Sequence, residues 1–272
     1  MEIKFICTYW GKQDMPVGTF VETALDAGFN GIELNIPAEK ELTRTLSKAV
    51  GQNNAILIAQ QWLPPAMESV EQYRTRMTAS LIHLASLSPV FINSHTGKDY
   101  YSFNENCSLI ETAKEIEENT GVKILHETHR GRFTHHAASL LPYLQKYPKL
   151  ELSADFSHFC AVSESLLEDQ EEILDRIIPA VRYIHARVGH DQSAQVNHPF
   201  APEWELNLMR FVSWWQKIID QARDRGEEIF HICPEFGPAP YMPALPFTGR
   251  PVADQWQINL EMMNHLKTNL VV

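Results

Sequence analysis

The sequence predicts a single (β/α)8 barrel over residues 1–272. Three observations carry this expectation: eight short apolar runs recur along the chain, amphipathic stretches lie between them, and the length of 272 residues accommodates eight such units. Strand and helix alternating at roughly 25 to 45 residues per unit specify a parallel sheet built from βα units. A chain near the usual length of about 250 residues fits a closed barrel better than an open doubly wound sheet. The glycine-rich phosphate loops that accompany nucleotide-binding open sheets are also absent.

The elements follow in order. IKFICTY at 3–9 precedes TFVETALDAG, where Phe20, Val21, Ala24 and Leu25 form one apolar stripe and Gly28 is a natural C-terminal stop. GIELNI at 31–36 and AILIAQQW at 55–62 are the next two strands, and ESVEQYRTRMTASLIHLASL is the helix after them. VFINSH at 90–95 is followed by NENCSLIETAKEIEENTG, and VKILHE at 122–127 by LELSADF at 150–156. SLLEDQEEILDRIIPAVR then leads into RYIHARV at 182–188, and WELNLMRFVSWWQKIIDQARDRG into EIFHICPEF at 228–236. DQWQINLEMMNHLKTNL closes the chain as a helix.

Composition bounds the partners. A formal charge of −11 disfavours a phosphate backbone, because non-specific nucleic-acid binding needs clustered Lys and Arg. Cys7, Cys107, Cys160 and Cys233 are scattered with no C-x-x-C pair, so they read as reduced thiols. The start MEIKFICTYW lacks a basic region followed by a long apolar one, and no later run approaches a membrane span, so a cytoplasmic protein without membrane attachment is expected.

Barrel active sites lie at the C-terminal ends of the strands. Polar residues at those ends are Glu33 and Asn35, Gln60, Gln61 and Trp62, Asn93 and His95, Glu127 and His129, Asp155 and His158, His185 and Arg187, and Glu235. The segment ILHETHRGR at 124–132 superficially suggests a zinc-protease motif, but its histidines are three apart rather than the four that place two ligands on one helical face. As a strand it alternates, with Leu125, Glu127 and His129 on one side and Ile124, His126 and Thr128 on the other. The last four strands thus end in Glu127, Asp155, His185 and Glu235. Three carboxylates and an imidazole suit one divalent ion, Mn²⁺, Co²⁺, Zn²⁺ or Mg²⁺, and their mutual repulsion would be costly without a cation.

With HETHRGR at 126–132, SADFSHF at 153–159, IHARVGHDQ at 184–192 and CPEFGP at 233–238, the chain resembles the xylose isomerase-like TIM barrels, which include sugar phosphate isomerases/epimerases and ketose 3-epimerases. The resemblance spans essentially the whole chain. It implies that Glu127, Asp155, His185 and Glu235 ligate the metal and that Asp155 and His158 form the family's D-x-x-H pair. It implies a sugar-like small-molecule substrate, isomerised or epimerised by proton abstraction through a metal-stabilised enediolate, with Glu127 and Glu235 as the catalytic pair. His158, Arg187, His95, His129 and Trp62 are the expected substrate contacts, Arg187 having a salt bridge to a ligand carboxylate as an equal alternative role. Arg130 and Arg132 are placed on the loop beyond the strand, meeting an anionic substrate or merely solvated.

The same residues would serve a polyol dehydratase or lyase, or a sugar-binding barrel without turnover. The endonuclease branch is disfavoured by Gln60 and Gln61 where it has a further histidine, and by the absence of its D-x-H after the seventh strand. Two loops, 189–204 and the proline-rich 237–251, are expected to form preformed pocket walls. Trp214 or Trp215 on the aromatic helix VSWWQKII is available for burial against a second copy, allowing a homo-oligomer.

Overall fold

The computed structural model describes residues 1–272. Eight parallel strands pair in sequence order and close into a barrel: β1 (Glu2–Thr8), β2 (Gly31–Asn35), β3 (Ile56–Gln61), β4 (Phe91–Ser94), β5 (Lys123–Glu127), β6 (Leu152–Ala154), β7 (Val181–His185) and β8 (Ile229–Cys233). Closure is made by β1 against β8, with Glu2 opposite Ile229 and Phe5 opposite Ile232. Around it lie α1 (Val17–Asp26), α2 (Lys40–Asn53), α3 (Val70–Ala85), α4 (Phe103–Thr120), α5 (Ala137–Lys146), α6 (Ser157–Ser163), α7 (Glu171–Ile177), α8 (Glu205–Asp224) and α9 (Gln255–Asn269).

Local chemistry explains most boundaries. Ser69 and Ser102 cap α3 and α4 through reciprocal capping boxes with Gln72 and Glu105. α1 stops at Asp26 and the chain reverses through Gly28 at φ 91°, a left-handed conformation that costs glycine little. Three helices lie outside the sequence expectation, the shortest of them α6, which spans only Ser157–Ser163. α2 buries only Leu46 and Ala49, too thin a stripe to read as amphipathic, and α5 carries Pro142 within it. Conversely, the helix expected over 165–182 is shortened to α7, because Pro179 breaks it into a 3-10 turn at Ile178–Ala180.

Alternation divides the barrel into two cores. Ile6, Ile58, Phe91, Leu125, Tyr183 and Cys233 fill the interior as a small apolar layer, while Ile124, Leu152 and Ile184 join the large cluster between strands and helices. This inner layer is the floor on which the polar strand ends stand. Trp214 and Trp215 belong to the outer cluster, 0% and 1% exposed and packed with Phe211 and Phe156, so they offer nothing to a second copy. All four cysteines are free and buried, and no helix is long and apolar enough to cross a membrane.

His126 faces the helix layer, as the strand alternation requires. Its Nδ1 lies 2.8 Å from Thr96 Oγ1, which joins Ser94 Oγ at 2.8 Å and through it Gln61 Oε1 at 2.8 Å. Burial lowers the imidazole from its ordinary 6.5 to about 4, so the fold holds the neutral ring. The folded pKa lies below the unfolded one; the resulting stability is therefore full above pH 6.5 and is lost as pH falls toward 4. Up to about 3 kcal/mol should disappear over that window in urea unfolding, and His126→Gln should remove this part of the slope. An unchanged pH profile in the variant would refute the assignment.

Candidate active site

β5 ends in Glu127 and β7 in His185, and the chain beyond β6 and β8 immediately supplies Asp155 and Glu235. All four side chains are buried, and each offers one ligand atom within 4.8 Å of the others. Two unit negative charges about 4 Å apart repel by about 4 kcal/mol at an effective dielectric near 20. Such a cluster needs positive charge among its members.

The donors fit a divalent cation. His185 Nδ1 lies 2.9 Å from Glu235 Oε2 and 3.7 Å from Glu127 Oε2, yet it makes no hydrogen bond, so its in-plane direction is left open beside the carboxylates. The other ring nitrogen, Nε2, is 2.8 Å from Glu33 Oε2. With the Nε2 proton donated to Glu33, the Nδ1 lone pair is free for an ion, and one nitrogen with three carboxylates is a donor set that Mn²⁺, Co²⁺, Zn²⁺ and Mg²⁺ accept. Glu33 also accepts from Asn93 Nδ2 at 3.0 Å and Tyr183 OH at 2.8 Å. It was legible in the sequence only as a polar strand end, because its partner His185 lies 152 residues away.

The protonation of the cluster is uneven. Burial pushes Glu127 upward, but the facing His95 and His185 outweigh it and hold this carboxyl well below the usual range. Glu235 and Asp155 are raised, in both cases chiefly by burial. Burial opposes a charge on His185, yet Glu235, Glu33 and Glu127 together drive its pKa well above the ordinary value.

The expected substrate contacts gather on one side, with one exception. His95 Nε2 is 2.8 Å from Glu127 Oε2; the His129 ring lies 4.6 Å from that of His95 and 3.8 Å from that of His158. His158 Nε2 is 2.9 Å from Arg187 Nη2, the same nitrogen that pairs closely with Asp155 Oδ2. Arg187 therefore takes the salt-bridge role left open above, while its buried Nη1 remains without a partner. Ser157 secures Asp155 further through its backbone N–H, 3.1 Å from Oδ1. Trp62 stands apart at the rim, 40% exposed, with only its carbonyl engaged by Asn35. Of the two roles left open for Arg132, burial removes solvation, since the residue is 8% exposed.

Sequence reasoning did not single out Trp10. Its ring meets Tyr241 edge-on at 5.0 Å, and the Arg187 guanidinium lies 4.7 Å from the Tyr241 ring and 5.8 Å from that of Trp10. Trp10 reaches this place only because residue 237 is glycine, where a Cβ would come within 2.2 Å of the indole. The two long loops are tied together by Gln195, whose amide accepts from Gly237 N–H at 2.7 Å and donates to its carbonyl at 3.1 Å.

No protein-family model and no curated protein matches the chain. Solved structures do match in fold. A 3-keto-D-glucoside 4-epimerase from E. coli is 12% identical with a TM-score of 0.62, covering 98% of this chain and 100% of its own. A xylose isomerase-like TIM barrel protein from Mycobacterium smegmatis, in complex with magnesium, is 10% identical with a TM-score of 0.66 over 98% of each chain. A protein assigned as a 3-DHS dehydratase of petrobactin synthesis in Bacillus anthracis is 19% identical with a TM-score of 0.65, covering 98% of this chain and 99% of that one. The fold is thus that of the xylose isomerase-like barrels, as the motifs implied.

Glu33→Gln keeps the shape but presents an amide where His185 Nε2–H and the Tyr183 hydroxyl donate. Mn²⁺ affinity measured by calorimetry should fall about 10- to 100-fold while the unfolding midpoint stays within a few degrees. Unaltered affinity would show that Glu33 does not orient the imidazole.

Proposed function

We propose that the protein is a divalent-metal-dependent isomerase or epimerase of a sugar or related polyhydroxy carbonyl compound. The observation that carries this reading is the pair of buried glutamates, Glu127 and Glu235, flanking the unpartnered Nδ1 of His185. Moving a carbonyl, or inverting the carbon beside one, requires removing a weakly acidic C–H proton and returning it elsewhere. A bound divalent ion would polarise the neighbouring substrate oxygens and stabilise the negative charge that develops.

The remaining steps fall to the chain's own residues. Glu127, held as a carboxylate by His95 and His185, suits the base; Glu235, raised by burial, suits the acid. Asp155 and His185 complete the ligand set together with the two glutamates. His158 and the free Nη1 of Arg187 supply polar contacts to substrate oxygens, with His95 and His129 beside them and Trp62 at the rim. Arg187 also keeps Asp155 fixed, and the Trp10–Tyr241 wall excludes water above the guanidinium. The fold shared with sugar epimerases supports this reading, and the dehydratase of like fold supports a second one: the same proton abstraction followed by loss of a β-hydroxyl.

Metal-loaded protein incubated with a panel of ketoses in D₂O should place deuterium on the carbon next to the carbonyl. Glu127→Gln and Glu235→Gln should each slow this exchange by about 10²- to 10⁴-fold without releasing the metal entirely. Deuterium uptake accompanied by dehydrated product would select the lyase reading. Protein that binds no divalent ion after supplementation would sink both.

A further inference from the structure

Beside the metal centre, the loops following β4 and β5 bring together two cations that have no carboxylate partner. Arg132 is 8% exposed, forms no ion pair, and makes a single side-chain hydrogen bond, from Nη1 to the Gly131 carbonyl at 3.3 Å; its buried Nε has no partner at all. A guanidinium carries five N–H donors, and burying it so poorly satisfied is costly unless a counter-ion arrives. Lys98 is partly buried and likewise unpaired, with its ammonium 5.5 Å over the Tyr73 ring. The two loops touch where these residues sit: a Cβ on Gly97 would lie 3.6 Å from the Cβ of Phe133, which sets Lys98 and Arg132 on adjoining turns. Burial, and then the charge of Arg132, lower the Lys98 pKa.

The surroundings are built rather than loose. Asn106 holds the Lys98 backbone, accepting its N–H at 3.2 Å and donating to its carbonyl at 2.9 Å. The Tyr73 hydroxyl donates to the His95 carbonyl at 3.0 Å, and the hydroxyl of neighbouring Tyr101 is buried without a partner. Two acids act on Lys98 at longer range. Asp99 is exposed, and Glu68 is committed through Oε1 to Arg76 at 2.7 Å, its Oε2 being buried and unpartnered. The link to the site is short: Arg132 N–H bonds the His129 carbonyl at 3.1 Å, and the His129 ring lies in the cluster with His95 and Glu127.

We propose that Arg132 and Lys98 form an oxyanion subsite that receives a carboxylate or phosphate group on the substrate, so that the compound turned over is an anionic sugar derivative rather than a neutral sugar. This rests on the isomerase reading for the identity of the substrate, though not for the binding of the anion. A guanidinium offers a paired N–H edge to either group, and an adjacent ammonium adds a point charge.

The test is calorimetry on the full chain in EDTA, so that no metal can hold the anion, using inorganic phosphate, gluconate and neutral sorbitol. Phosphate or gluconate should bind saturably and sorbitol should not, and whichever binds identifies the group. Arg132→Gln should weaken that binding at least tenfold, and Lys98→Gln, at a half-buried position, gives the same reading should the first variant fail to fold. Absence of binding by both anions, or affinity unchanged in the folded variants, overturns the subsite. Because the titration needs neither metal nor turnover, its failure alongside deuterium exchange from neutral ketoses would leave the isomerase standing. Arginine-dependent anion binding without any exchange would do the reverse.

Discussion

The structure is organised around one electrostatic problem, the burial of Glu33, Glu127, Asp155 and Glu235 in the mouth of one barrel. Each is answered by a specific cationic or N–H group. His185 sits between Glu33 on one ring edge and Glu235 on the other; Arg187 takes Asp155; His95 and Asn93 take Glu127, the latter donating at 2.7 Å. The imidazole proton and the guanidinium lower the repulsion, and a divalent cation would lower it further. The apolar floor of Ile6, Ile58, Phe91, Leu125, Tyr183 and Cys233 matters for the same reason, since it fills the barrel interior beneath the polar layer.

Glu33 shows why a ligand list is an incomplete account of such a site. It is not a member of the four-residue cluster, yet three buried donors converge on its carboxylate and one of them belongs to His185. The tautomer of His185, and with it the direction of the nitrogen lone pair, depends on that carboxylate. A barrel permits this economy: adjacent and opposite strands all aim their alternate residues at one axis, so each ligand has its supporting group within a strand or two.

Much of this was legible in the chain because it depends on periodicity. Eight apolar runs and strict alternation sufficed to place Glu127 inward and His126 outward, and to align four metal-type side chains on consecutive strands. What escaped depends on contacts between distant residues or on weak amphipathicity. α2 buries too little and α5 contains a proline, so neither declares itself as a helix. Trp214 and Trp215 look like interface residues because adjacent indoles on a helix cannot both point one way, yet both are absorbed between the barrel and its neighbouring helices. For Arg132, its place beyond the strand left solvation and an anionic substrate both open, and the tight turn at His129–Arg132, which folds it back under cover, removes the first.

The Trp10–Gly237 contact bears on how the site comes into being. Trp10 follows the first strand and Gly237 the last, so the aromatic wall bridges the seam where the barrel closes. A chain opened along that seam would keep Glu127, Asp155, His185 and Glu235 on paired strands, because β8 also pairs with β7, but it would part Glu33 from His185 and Trp10 from Arg187. The support of His185 by Glu33 and the cover over Arg187 thus arrive only with completion of the barrel.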